Sequence, residues 1–207
     1  MSIINIFYHQ LPCTTHSYYD LSSDSYQIRI HLTHSPAVVH YWRNDIYRIR
    51  RSRLNCLIVG LDIEWRPTYI RVVKRPVATL QLCVGHRCLI FQIIHAPYIP
   101  GSLFRFIGNG KFTFTGVGIK DDAKKLLDDH GLEVANVIDL RVLAEKKLGT
   151  RELRNAGLKK LAFAVLVKEI EKLKRVTMSR WDNPWPTPAQ VQYACVNAFC
   201  LWRLGGL

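Results

Sequence analysis

Asp62 and Glu64 stand two residues apart in an otherwise apolar run, Leu57-Ile58-Val59-Gly60-Leu61-Asp62-Ile63-Glu64-Trp65. A strand has a side-chain period of two, so both carboxylates fall on one face. Two anions side by side at the end of a buried strand repel each other unless a cation joins them. Hard divalent ions such as Mg2+ and Mn2+ take such oxygen ligands. Spacing alone leaves a second reading open, a strand that simply runs out into solvent at residue 62. Further acids, Asp121 and Asp122, follow the glycine-punctuated stretch Phe114-Thr115-Gly116-Val117-Gly118-Ile119. They suit the positive N-terminal end of a helix, with or without a chemical role. Tyr193 and Asn197 lie four apart near the C-terminus, one turn apart on one face of a helix. A core tyrosine and a solvated amide would show the same spacing.

These residues need elements to position them. Tyr26, Ile28, Ile30 and Leu32 alternate with Gln27, Arg29, His31 and Thr33, which predicts a half-buried strand. Ser35-Pro36 opens a helix whose apolar face is Val38, Val39, Trp42, Ile46 and Ile49. Strands are expected over 56–63, 77–84 and 88–93, the last two joined by the Gly85-His86-Arg87 turn as part of an antiparallel meander. A short helix over 102–107 and a strand over 111–117 precede a helix that ends near His130, with Gly131 as its C-terminal stop. A short apolar stretch over 134–140 leads to helices at 142–148 and 157–166, the latter extended by the charged run 168–175. Two prolines make 181–186 a loop, and Thr187-Pro188 caps a last helix to about Leu204. Before residue 26 only a short strand at 3–8 is expected. The order of elements defines an α/β chain around one mixed sheet.

Composition narrows the partners. Of 207 residues, 48% are apolar and 22% charged, which excludes intrinsic disorder. Twenty-nine Lys and Arg against sixteen Asp and Glu leave +13, a surplus that suits a polyanion, nucleic acid or an acidic membrane surface. The six cysteines include no C-x2-C pair, so core packing is expected of them rather than a zinc site. Cys83 and Cys88 bracket the glycine turn and are placed to face each other across a hairpin. No run approaches 18 apolar residues and no signal-peptide pattern opens the chain. The expected setting is cytoplasmic and/or nuclear, with reduced thiols and no membrane partner.

The stretches 60–65, 116–127 (G-V-G-I-K-D-D-A-K-K-L-L) and 187–198 (T-P-A-Q-V-Q-Y-A-C-V-N-A) resemble the three motifs of the DnaQ-like 3′–5′ exonucleases. The resemblance is to the branch with tyrosine in the third motif (DEDDy), and within it to the Werner-syndrome-type domain. It extends to Leu80–Val84, to Cys88–Phe91 and to Ser179-Arg180-Trp181, and it runs from about residue 26 to the C-terminus. Residues 1–25 then form an N-terminal extension and 26–207 the exonuclease domain. The strand-helix piece after residue 26 and the basic cluster Arg48, Arg50, Arg51 and Arg53 look most like the small plant members. Those include the RISC-interacting clearing exoribonucleases, thought to act as ring hexamers.

The resemblance implies a ribonuclease H-like α/β fold with a central mixed sheet flanked by helices. It implies cleavage of single-stranded RNA or DNA by two divalent ions, Mg2+ or Mn2+, about 4 Å apart across the scissile phosphate. By position, Asp62 and Glu64 match the first motif, Asp122 the second, and Tyr193 the third-motif tyrosine that orients the attacking water. Where the family has its fourth carboxylate, this chain has Asn197. An amide is neutral and offers a cation one oxygen, so metal binding and cleavage are expected to be weak or absent. A non-catalytic binding or assembly subunit of the same fold is the alternative. Arg66, Arg71, Lys74 and Arg75 follow the first motif, and Lys120, Lys124 and Lys125 flank the second, positions suited to a phosphate backbone. Trp65, Tyr69, Trp181 and Trp185 are candidates for stacking on bases, although Trp65 and Trp181 read better as core or wedge residues. A homo-oligomer, a hexameric ring, is implied by the resemblance alone.

Overall fold

The computed structural model describes residues 4–12, 14–23, 26–68, 74–166 and 174–207. Its strands are β1 Asn5–His9, β2 His16–Ser23, β3 Tyr26–Thr33, β4 Ile58–Trp65, β5 Val77–Val84, β6 Arg87–Phe91, β7 Thr113–Gly116 and β8 Val137–Asp139. The α-helices are α1 Pro36–Ile49, α2 Gly101–Ile107, α3 Ile119–His130, α4 Leu140–Leu148, α5 Leu158–Leu166, α6 Lys174–Thr177 and α7 Pro188–Gly205. The strands form one mixed sheet in the order β1-β2-β3-β6-β5-β4-β7-β8. From β4 to β6 the sheet is the expected antiparallel meander, and β7 and β8 join it in parallel. No helix among the described residues is long and apolar enough to cross a membrane.

Alternation along the strands divides the core into two layers. Val59, Leu61 and Ile63 of β4 face one side and pack with Trp42 and Ile46 of α1, Phe106 of α2 and Leu126 of α3. Ile28 and Ile30 of β3, and Cys83 and Cys88 of β5 and β6, face the other side, beneath Cys195, Ala198 and Phe199 of α7. Each large apolar side chain so buried contributes about 1.5–3 kcal/mol of transfer free energy. Cys83 and Cys88 are register partners across the hairpin, as their spacing suggested, and both thiols are free. On this pattern Asp62 and Glu64, at even positions of β4, lie on the α7 side.

The sequence pattern predicts no strand at 16–23, yet β2 forms there, paired to β3 from His16↔Thr33 to Ser23↔Tyr26. Only Tyr19 and Leu21 of this strand are buried, so its apolar alternation is two residues long. Backbone pairing on both sides, rather than its own pattern, makes it a strand. The charged extension expected over 168–175 falls largely outside the described residues; Lys174 begins α6.

Candidate active site

The site begins with how closely α7 lies on β4. A Cβ at Gly60 would stand 2.1 Å from the Ala198 carbonyl oxygen and 2.5 Å from the Trp202 nitrogen. Any side chain there would lift the helix away. Thr115 of β7 fastens the same contact, its hydroxyl donating to the Leu201 carbonyl at 2.9 Å. The start of α7 is fixed by a capping box between Thr187 and Gln190. Gln190 also donates to Ser179 Oγ at 2.9 Å, tying the preceding loop to the helix.

Seated this way, α7 brings Asn197 onto Asp62, and Asn197 Nδ2 donates to Asp62 Oδ2 at 3.1 Å. Asn197 is buried, whereas Asp62, Glu64 and Tyr193 are each half-buried. Burial, and then the Glu64 carboxylate, push the Tyr193 phenol well above its ordinary range; a hydrogen bond with Asn197 opposes them, and Asp62 adds to the rise. The phenol is therefore a neutral hydroxyl at physiological pH, beside the two acids of the first motif.

Asp122 arrives from α3. That helix is entered through Gly118, whose φ of 75° is left-handed and favours glycine. The Gly118 N–H donates to Asp139 Oδ2 at 3.0 Å, while Asp139 Oδ1 caps α4 by accepting from the Arg141 N–H at 2.9 Å. Arg141 closes the arrangement, its Nη2 on Asp139 Oδ2 at 2.6 Å. Asp139 thus joins the two helix starts and sets where Asp122 stands. The sequence does not mark this role, because the partner Gly118 lies 21 residues away; the one local signal is Asp139 at a helix start. Burial first, then Asp62, Asp121 and Asp139, raise the Asp122 carboxyl to about 8. An acid so crowded by other acids gains most from a cation.

Three carboxylates, Asp62, Glu64 and Asp122, supply the hard oxygens that Mg2+ or Mn2+ prefers. Among the described residues, however, no three His, Cys, Asp or Glu side chains are gathered in an arrangement that could hold one ion. At the fourth position the amide donates a proton to Asp62, where a carboxylate would add a negative charge. The residues attract a cation but do not fit the two-ion arrangement implied by the resemblance.

The basic residues divide by what already holds them. Arg66 is half-buried, its Nη1 3.3 Å from Asp182 Oδ2, so it braces the 181–186 loop. Lys124 pairs with Asp128 at 2.7 Å along α3. Lys125 reaches Asp129 and the Arg75 carbonyl and lies over the Trp65 ring at 5.2 Å. Lys120, Lys74 and Arg75 are exposed. Arg71 and Tyr69 lie outside the described residues. Trp181 is a core residue, whereas Trp185 is exposed and Trp65 partly so.

An acid-bearing strand beneath a tyrosine-bearing helix, with a third acid at a neighbouring helix start, defines a nuclease-type α/β domain. The sequence profile of the 3′-5′ exonuclease family matches residues 44–205, and the chain belongs to that family. An Arabidopsis thaliana 3′-5′ exonuclease is 35% identical over 157 residues, 75% of this chain and 54% of that protein. The mouse bifunctional 3′-5′ exonuclease/ATP-dependent helicase WRN is 34% identical over 143 residues, 69% of this chain and 10% of that protein. The chain thus spans about half the length of the plant relative and much less of the helicase. Among solved structures, the EXD2 exonuclease domain soaked in Mn and GMP superposes with a TM-score of 0.50 at 26% identity, covering 84% of this chain and 86% of that one. Escherichia coli RNase D gives a TM-score of 0.63 at 15% identity, covering 79% of this chain and 41% of that one, a likeness of fold. The eight-stranded mixed sheet with flanking helices is a ribonuclease H-like fold.

Proposed function

We propose that the chain is a 3′–5′ exonuclease for single-stranded RNA or DNA whose cleavage is weak or lost. The observation that carries this reading is the hydrogen bond from Asn197 to Asp62. Asp62, Glu64 and Asp122 are the acids that would draw a divalent ion, Mg2+ or Mn2+, to this cleft, and Asn197 would add only a neutral amide to them. Such an ion supplies Lewis-acid stabilisation of charge on a phosphoryl oxygen. Asn197 presents an N–H to Asp62, and the full charge of a carboxylate is missing there. Loss of an outer-shell partner alone costs about 10–100-fold in metal affinity or activity, and loss of a direct ligand at least as much.

The test is digestion of a 5′-labelled oligonucleotide in Mg2+ and in Mn2+. Asn197→Asp is expected to shorten the substrate at least about 10-fold faster than the parent, with any parent ladder abolished by Asp62→Ala. A parent as fast as Asn197→Asp overturns the reading of Asn197. Ladders absent from both proteins overturn the exonuclease reading in favour of a non-catalytic binding or assembly subunit. The proposed homo-oligomer, a hexameric ring, is tested by light scattering, with six chain masses expected and one chain mass against it.

A further inference from the structure

On the far face of the sheet, between α1 and strands β2, β3 and β6, lies a cavity of about 390 Å³. We propose that it is a second site, for a nucleotide recognised by base and phosphate together. It is distinct from the acidic cleft. Arg29 and His31 sit at odd positions of β3, opposite the face that carries α7, and β3 is three strands from β4 in the sheet order. At about 4.8 Å per strand that separation is roughly 14 Å.

Two kinds of recognition meet in the cavity. Tyr18 and Tyr41 flank the His31 ring, with centroids 4.7 Å and 6.1 Å away, and Tyr41 is 59% exposed. A purine or pyrimidine entering there gains an aromatic face. His31 is 3% exposed, lines the cavity, and its Nδ1 has no hydrogen-bond partner. Burial holds this imidazole uncharged, its value lowered to about 4 although Asp45 opposes the shift. The His31 ring is thus an uncharged aromatic wall between the two tyrosines, and its unpartnered nitrogen costs about 1–3 kcal/mol.

The cations are placed for a phosphate. Arg87 Nε and Arg48 Nη2 both hold Asp45, at 3.1 Å and 2.6 Å. Arg29 contacts Asp20 at 3.5 Å, and Asp20 also takes His9 at 2.9 Å. Three guanidinium groups therefore meet two carboxylates, which leaves one positive charge among these five groups. Guanidinium forks are the preferred partners of phosphate. The volume falls within the range of small-molecule sites. Free mononucleotide and one nucleotide of a bound strand carry the same chemistry.

The experiment is calorimetric titration of the full chain in EDTA, where the acidic cleft repels phosphate. The probes are adenosine 5′-monophosphate, adenosine and inorganic phosphate. The mononucleotide is expected to bind at least tenfold more tightly than adenosine or phosphate. Tyr41→Ala and Arg29→Gln, both at exposed side chains, are expected to weaken it at least tenfold without changing the melting temperature. Asp62→Ala is expected to leave it unchanged. Equal affinity for inorganic phosphate, unaltered binding by both cavity variants, loss of binding in Asp62→Ala, or no binding by the parent would each overturn the site. Displacement of the mononucleotide by a short single-stranded oligonucleotide assigns the site to a bound strand; without displacement it takes the free nucleotide.

Discussion

Burial, and then the neighbouring acids, hold the Asp122 side chain far above the ordinary carboxylate range. Its carboxyl is raised to about 8 from an ordinary 3.8, so between those values the folded chain holds a proton that the unfolded chain has released. Stability must then fall as pH rises from about 4 towards 8, because the native state binds more protons than the unfolded one across that window. Thermal melts in EDTA are expected to show this decline for the parent and a flatter profile for Asp122→Asn, which has no proton to lose. An unchanged slope in Asp122→Asn would place the titrating group elsewhere. Most of this site was legible in the sequence. Period two placed Asp62 with Glu64, and i, i+4 spacing placed Tyr193 with Asn197, because those relations are local to one element. The bond from Asn197 to Asp62 spans 135 residues, and that from Gly118 to Asp139 depends on where two helices begin. Such contacts are fixed by packing and leave no periodic trace.

At the scale of elements, the contact of α7 with β4 decides whether the third motif reaches the first. Gly60→Ala puts a methyl group against helix backbone at 2.1 Å, where no side chain can swing away. A loss of about 1–3 kcal/mol, the usual cost of overpacking, is expected in urea unfolding. Any parent cleavage of a 5′-labelled oligonucleotide should fall with it, because Asn197 and Tyr193 move with the helix. Asp139→Ala should cost about 1–2 kcal/mol, having removed a helix cap and the acceptor for Gly118. Faster hydrogen exchange at the Gly118 amide would locate that loss, whereas Asp139→Asn keeps a capping oxygen and should recover part of it. Elements with strong patterns were legible to within a few residues: β3 and β5 have the expected bounds, and α3 ends at His130 before a left-handed Gly131. The strand β2 was not legible. Tyr, Ser and His dominate it, and its partners β1 and β3 supply the hydrogen bonds that its composition does not advertise.

Across the whole molecule, a net charge of +13 coexists with a cleft of crowded acids, and the structure shows which cations remain free to meet a strand. Many are already held: Arg66 by Asp182, Lys124 by Asp128, Lys125 by Asp129. Lys120 lies two residues from Asp122, is exposed, and has no ion-pair partner among the described residues. A lysine that displaces a counterion from single-stranded nucleic acid changes the slope of log K against log salt by about −0.7. Lys124 must first break its bond to Asp128, so its net release is smaller. Fluorescence anisotropy with a 5′-labelled oligonucleotide, titrated from low to high NaCl, separates the two. Lys120→Gln is expected to make the slope shallower by about 0.7, and Lys124→Gln to change it by much less. Equal changes would mean that the backbone reaches both lysines and that the pair with Asp128 opens on binding. No change in either would move the strand away from the start of α3, towards Lys74 and Arg75 beside its C-terminal half.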